Sequence, residues 1–400
     1  MAKSKYYVGL EIGTTNVRVV AAEIKPDYSV RILGLSESGS AGVRKGEIVD
    51  INQIRACIKA TLLDLEDRCR IKVGQVFVSV TGGHIKGVNN ASKIVFKSDE
   101  HTVSEDDIFN IEESATNVKI PQENAQVMPL LREFRLDGQL NKTPPIGMMG
   151  KVLEAEYHIV HGVKARFQNT MRVIREASIA IEDIVFAPIA AAQVALTRQN
   201  KDEGALLIDI GGGTTDYVIY HEGSVLASGC IPIGGDHITN DIHLVTNIAS
   251  TRAEEIKVKH GDVSGSEESL LGDIEIDSNY DLQLGTLDRR TLNLVITSRL
   301  RELFKLVREC IPNGMMKSIG AGIFLTGGVT KTKGIERLVE EAIPLKVHRP
   351  EIAELSGSDS YAKDPQLFTV LGLIYYAQIL DQEEEAKDGP FGFLAKLFGQ

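Results

Sequence analysis

Residues Leu206 to Asp216 read LLIDIGGGTTD and combine features that a plain turn does not need. Leu206, Leu207, Ile208 and Ile210 form a short apolar run, the mark of a buried strand, and the carboxylate Asp209 interrupts it. Gly211, Gly212 and Gly213 follow, then Thr214, Thr215 and a second carboxylate, Asp216. A β-branched and aromatic run from Tyr217 to Tyr220 completes a strand, tight turn, strand pattern. A turn without Cβ atoms lets backbone N–H groups crowd round an anion. The two threonines add hydroxyl donors, and Asp209 and Asp216 are candidates to hold a hydrated Mg²⁺ beside phosphates. An ordinary hairpin turn does not need carboxylates on both sides of its glycines and threonines. The stretch is expected to be a phosphate site.

The pattern recurs near the N-terminus, where Tyr7 to Asn16 read YVGLEIGTTN and Val17 to Ile24 form a second apolar run. Laid over the first stretch, Glu11 falls on Asp209, Gly13 on Gly211, Thr14 and Thr15 on Thr214 and Thr215, and Asn16 on Asp216. On this alignment the later copy is two glycines longer. Two related hairpins half a chain apart predict an internal duplication. Two half-sites facing across a cleft would grip one polyphosphate from both sides.

The elements that must position these turns follow from the pattern along the 400 residues, enough for two or more domains. A third strand is expected at Val30–Leu35, a helix from Ile51 to about Arg68 and a strand at Val76–Val80, ending in Thr81-Gly82-Gly83. From His84 to about Gly162 the character changes. A strand near Lys93–Phe96, a helix N-capped by Ser104 and two further strands predict a small α+β insert. Lys164–Ala177 reads as a helix, Ile181–Phe186 as a strand and Pro188–Leu196 as a small-residue helix joining the halves. Lys201–Gly204 reads as the turn into the second half. Beyond the central hairpin, helices are expected at His237–Ile248, Arg252–Gly261 and Arg289–Cys310, and from Gly334. The strand Ile323–Leu325 ends in Thr326-Gly327-Gly328-Val329, a place where backbone can approach a flat ligand.

Composition narrows the function classes. An apolar content of 43% and a charged content of 25% are ordinary for a globular protein. The net charge of −11 argues against nucleic acid as the main partner. Cys57, Cys69, Cys230 and Cys310 are scattered without metal-ligand spacing, as in a reducing compartment, and the nine histidines form no zinc motif. Lys3 and Lys5 lead directly into the first strand, so a signal peptide is not expected, and the body of the protein is expected in the cytosol.

These motifs resemble the superfamily of actin-like and heat-shock-chaperone ATPases, and within it the bacterial cell-division FtsA family. The order is a phosphate hairpin at Gly9–Val17, a connecting helix at Pro188–Leu196, a second hairpin at Asp209–Asp216 and an adenosine loop at Leu325–Thr330. Further FtsA-like strings are Lys45-Gly-Glu-Ile-Val-Asp50, Pro232-Ile-Gly-Gly-Asp236 and Ala253-Glu-Glu-Ile-Lys-Val-Lys-His-Gly261. The resemblance implies an α/β, actin-like two-domain fold with duplicated phosphate hairpins and a small insert. Subdomain 1A would be 1–83 with 163–203, the insert 1C 84–162, 2A 204–230 with 301–380, and 2B 231–300. It implies ATP and Mg²⁺ as ligands, with Glu254 and Lys257 along the adenosine and Gly327, Gly328 and Val329 on the purine side. On spacing alone, Glu254 and Lys257 are a solvated helix face. Glu11, Asp209 and Asp216 are the candidates near metal and water.

Hydrolytic relatives place Glu or Gln in the first connecting segment to orient water, where this chain reads Phe186-Ala187-Pro188. Missing general-base help typically costs on the order of 10²–10⁴-fold, so tight nucleotide binding with slow or negligible turnover is expected.

The last segment reads differently again. Asp381–Asp388 is acidic, and 381–389 is expected to be a linker. In 390–400, Phe391, Phe393, Leu394, Ala395, Leu397 and Phe398 share a helical face roughly 200° wide, with Lys396 opposite. Such a helix binds a lipid surface or a partner, or packs on its own domain. One Lys is a poor complement to anionic lipid, so binding is expected to be weak per copy and helped by polymerisation. The resemblance implies an actin-like filament that tethers the FtsZ ring, through the FtsZ C-terminal tail, to the cytoplasmic face of the inner membrane at mid-cell. Later division proteins are further implied partners. The rival readings are a PilM-type pilus-assembly adaptor and an actin-like chaperone or assembly ATPase.

Overall fold

The computed structural model describes residues 5–276, 285–352, 356–357 and 361–388. The aromatic segment 390–400, with Phe391, Phe393, Leu394, Lys396, Leu397 and Phe398, lies outside the described residues. Strands β1 (Lys5–Ile12), β2 (Asn16–Ile24) and β3 (Val30–Gly39) form an antiparallel meander. Helix α1 (Ile51–Cys69) follows, started by the Asp50 carboxylate, which accepts from the amides of Asn52 and Gln53. β4 (Gln75–Val80) returns parallel to β1. The chain then leaves to build the insert from β5 (Lys86–Val95), α2 (Glu105–Thr116), β6 (Asn124–Leu136), β7 (Gln139–Asn141) and β8 (Val152–Val163). Ser104 caps α2 in a reciprocal capping box with Asp107. α3 (Lys164–Glu176) and β9 (Ala180–Phe186) complete the first half, and α4 (Ala187–Ala195) and α5 (Arg198–Glu203) lead out of it.

The second half repeats the plan. β10 (Ala205–Ile210), β11 (Thr215–His221) and β12 (Ser224–Ile231) are a second meander. Helices α6 (Gly235–Thr246), α7 (Ser250–His260) and α8 (Arg289–Glu309) precede β13 (Gly322–Thr326), which lies parallel to β10. α9 (Ile335–Ala342), β14 (Val347–His348) and α10 (Phe368–Asp388) end it. The sheet orders are β9-β4-β1-β2-β3 and β7-β6-β8-β5-β12-β11-β10-β13-β14. Within them β9-β4-β1-β2-β3 and β14-β13-β10-β11-β12 match strand for strand, so the duplication extends well beyond the two turns.

Sequence places the insert in the first half, but its sheet continues that of the second. Lys86 of β5 pairs with Gly229 of β12. The seam is polar and buried. His158 Nε2 lies 2.8 Å from Ser228 Oγ and Nδ1 lies 2.6 Å from Asn89 Oδ1. Burial holds this imidazole down at about 4 and therefore neutral.

Two local expectations are corrected. Lys201–Glu203 is the end of α5, capped by Thr197, not a turn; Gly204 closes it. Residues 381–388 are not a loose linker but the continuation of α10. Glu, Ala, Gln and Lys are strong helix formers, and no Gly or Pro intervenes before Gly389. Asp381, at the start of this stretch, is buried and accepts from Tyr7 Oη at 2.6 Å and Lys5 Nζ at 2.9 Å.

Candidate nucleotide cleft

Both glycine turns grow from the same ladder. Gly13 N–H donates to Asn16 O and Gly211 N–H to Thr214 O, each at 2.9 Å. Glu11 stands opposite Arg18 and Ile12 opposite Val17; Asp209 stands opposite Asp216 and Ile210 opposite Thr215. The two turns are therefore equal in length, which corrects the alignment made on the threonine pairs. Glu11 and Gly13 do match Asp209 and Gly211, but Asn16 matches Thr214 and Arg18 matches Asp216. The Thr-Thr pair lies inside the first turn and runs into the strand in the second.

The turns meet face to face. A Cβ on Gly212 would lie 2.0 Å from Thr15 Oγ1, and one on Gly213 would lie 2.4 Å from Thr14 Oγ1. Only glycine lets these backbones approach so closely. Around the contact is a cleft of about 340 Å³, within the range of small-ligand sites. The first hairpin contributes Glu11, Gly13, Thr14, Thr15 and Asn16 to its walls; the second contributes Asp209, Gly211, Gly212, Gly213, Thr214 and Asp216. Thr215 is the exception. Strand alternation turns it away from the cleft, where it is fully buried and its hydroxyl donates to Ile233 O at 2.8 Å.

The opposite wall carries Glu254 and Lys257 of α7, with Gly327, Gly328 and Val329 after β13. Lys257 Nζ contacts Glu254 Oε2 at 2.5 Å, Thr239 Oγ1 at 2.8 Å and Gly235 O at 3.0 Å. The pair is thus fixed to α6 and is not a free helix face. Gly327 has φ +90°, and a Cβ there would strike Asp209 Oδ1 at 2.4 Å.

Three cleft carboxylates are short of positive charge. Burial pushes Glu11 up to about 7 against the pull of Arg18, and Glu11 Oε2 is buried without a hydrogen-bond partner. Burial likewise pushes Asp216 up to about 7 and Asp209 to about 6. Thr81 Oγ1 lies 2.6 Å from Asp216 Oδ1, and Thr369 Oγ1 donates to Asp209 Oδ2 at 2.8 Å. Among the described residues no three acidic, histidine or cysteine side chains converge as direct metal ligands. This donor set suits a cation that keeps most of its own water, as Mg²⁺ does.

Sequence reasoning missed Arg18, Thr81 and Thr369, all of which line the cleft. Thr81 was within reach, because Thr81-Gly82-Gly83 after β4 repeats Thr326-Gly327-Gly328 after β13. Thr369 comes from the start of α10, and no local signal marks it.

A duplicated meander with a parallel strand beside it, and glycine hairpins facing across a cleft, is the actin-like fold. The same fold is found in the PilM-PilN type IV pilus biogenesis complex, with TM-score 0.63 at 16% identity over 93% of this chain and 98% of that one. It is also found in MreB5 of Spiroplasma citri bound to ADP, with TM-score 0.58 at 15% identity over 95% and 98%. The family model for cell division protein FtsA matches residues 206–372, and that for the SHS2 domain inserted in FtsA matches 82–161. Cell division protein FtsA of Neisseria meningitidis serogroup B is 31% identical over 405 aligned positions, covering 99% of this chain and 97% of that relative. The chain belongs to the FtsA family of cell-division proteins.

Proposed function

We propose that this protein binds ATP with Mg²⁺, polymerises as an actin-like filament and tethers the FtsZ ring to the cytoplasmic face of the membrane. The observation that carries the nucleotide reading is the contact of Thr14 and Thr15 with Gly213 and Gly212 across one cleft. Gly13, Thr14, Thr15, Asn16, Gly211, Gly212, Gly213 and Thr214 would hold the phosphates through N–H and hydroxyl donors. Glu254, Lys257, Gly327, Gly328 and Val329 would hold the nucleoside. Asp209 and Asp216 would hold the water shell of Mg²⁺, which supplies charge neutralisation of the phosphates. Glu11, its carboxyl pushed up to about 7 and its Oε2 unpartnered, would be a candidate to hold a proton of nearby water.

Turnover is proposed to be slow or absent. Ala187 lines the cleft at the start of α4, within the Phe186-Ala187-Pro188 segment in which hydrolytic relatives place Glu or Gln. A methyl group cannot orient water. Brisk, Mg²⁺-dependent phosphate release by purified protein would sink this part.

The FtsZ C-terminal tail is assigned to the lobe at about 231–300, and lipid to the amphipathic pattern at 390–400. Among the described residues no helix is long and apolar enough to cross a membrane. Liposome co-sedimentation with ATP tests the tether, comparing the full chain with a truncation after Asp388. Pelleting of the full chain alone supports it. If both stay in solution at filament-forming concentrations, the terminal segment serves a protein partner and the tether reading fails.

A further inference from the structure

The loop between β3 and α1 touches both phosphate hairpins, yet none of its side chains is used above. Val43 pairs with Ile48 and Arg44 with Glu47, so Lys45 and Gly46 form the two-residue turn of a tiny hairpin. Their φ angles are +52° and +74°. Such a turn favours Asn, Asp or Gly at its first position, and a lysine there carries a local cost. Gly46 N–H donates to Thr14 Oγ1 at 2.9 Å. A Cβ on Gly46 would meet Thr81 Cγ2 at 3.0 Å and Thr214 Cγ2 at 3.1 Å, and one on Gly213 would meet Lys45 Cα at 2.9 Å. The turn therefore rests on the first hairpin, the second hairpin and the end of β4 together. An ion pair of Glu47 with Arg166 on α3, 3.1 Å, braces it from behind.

Lys45 is exposed and forms no hydrogen bond or ion pair with another described residue. The cations that line the cleft are committed, Arg18 to Glu37 and Glu11, Lys257 to Glu254, Lys331 to Asp364, while Lys45 stands outside that lining with its Cα against Gly213. The charge of Lys45 reaches across to the second half, where, after burial, it is the next cause holding the His237 imidazole down. His237 lies in the first turn of α6, beside the cleft residues Gly235 and Asp236.

We propose that Lys45 distinguishes a nucleoside triphosphate from a diphosphate, its ammonium compensating the terminal phosphate where Thr14 and Gly213 meet. This rests on reading the cleft as a nucleotide site. A triphosphate brings the additional charge that Lys45 is placed to meet. A diphosphate leaves the ammonium in water, where it contributes little.

The test is the affinity of the full chain, with Mg²⁺, for ADP and for the non-hydrolysable triphosphate AMP-PNP. Lys45→Gln is expected to weaken AMP-PNP by roughly 5- to 20-fold, the scale of one charge-assisted bond, and ADP by less than about twofold. Lys45→Arg is expected to keep the wild-type preference. The difference should shrink as salt rises, because the charge is exposed. Unchanged melting temperatures of both variants separate this outcome from misfolding. Equal weakening of both nucleotides, or no change in either, overturns the inference while leaving the nucleotide site intact. Wild-type protein that binds neither nucleotide removes the site reading itself, and the inference falls with it.

Discussion

The two glycine hairpins share a ladder, a turn length and a glycine N–H to carbonyl bond, and they differ in what faces the first carboxylate. In the first, Arg18 faces Glu11 at 3.4 Å and reaches Glu37 at 2.5 Å, so the hairpin carries its own countercharge. In the second, Asp216 faces Asp209, and hydroxyls of Thr81 and Thr369 are the neighbours that hold them. The first hairpin has a guanidinium beside its carboxylate, while no cation among the described residues pairs with Asp209 or Asp216 in the second. The two copies of the hairpin thus differ in charge at a single ladder position, Arg18 in the first and Asp216 in the second.

Removing the countercharge is the most severe way to break this contrast. Arg18→Ala leaves Glu11 and Glu37 without their guanidinium and is expected to destabilise the ligand-free protein by about 2–3 kcal/mol in denaturant titration, with Glu11 taking up a proton. Adding Glu11→Gln should restore much of that loss. If Arg18→Ala alone is neutral, the first hairpin is not held by its ion pair. Closing the approach of the two turns comes next. Gly212→Ala puts a methyl against Thr15 and is expected to cost roughly 1–3 kcal/mol of nucleotide binding by overpacking, read by calorimetry.

Neutralising the second hairpin should do the opposite of neutralising the first. Asp216→Asn is expected to leave ligand-free stability within about 1 kcal/mol of the parent, or to raise it, while flattening the Mg²⁺ dependence of nucleotide binding. A large loss of stability would show that the buried aspartate is held as an anion.

The smallest effect is the pH dependence. Glu11 and Asp216 are pushed up to about 7 and Asp209 to about 6, so the folded protein holds protons that the unfolded chain has already lost. Stability from these groups is present below the unfolded carboxylate range and is lost as pH rises from about 4 to about 7, the reverse of a salt-bridged carboxylate. Binding of Mg²⁺ and ADP should then release protons at pH ~6 and few at pH ~8. Calorimetry in two buffers of different ionisation heat reads this directly. Equal heats at the lower pH would mean the carboxylates are already ionised.

Short-range patterns carried much of this into the sequence. Glycine and threonine turns between apolar runs marked both hairpins, and their recurrence marked the duplication. Alignment by threonines failed because residue type does not fix register; the hydrogen-bond ladder does, and it sets Arg18, not Asn16, against Asp216. Thr215 was lost for the same reason, since one step along a strand reverses the face. Thr369 and the joining of β5 to β12 depend on segments far apart in the chain, which no local periodicity records. The acidic stretch 381–388 misled in another way: charge suggested solvation, while helix propensity and the buried Asp381 decided the structure.

Helix α10 is fastened at three points along its length. Thr369 in its first turn grips Asp209, Gly372 sits so tightly on Ala190 that a methyl would come within 2.0 Å of the carbonyl oxygen, and Asp381 is tied to Tyr7 of β1. Its 21 residues make a rod about 30 Å long. A pull at the far end of that rod arrives at a carboxylate of the second hairpin and at the joint between the halves. Asp209 of the second hairpin, Ala190 of the connecting helix and Tyr7 of the first sheet are thus joined through one piece of backbone.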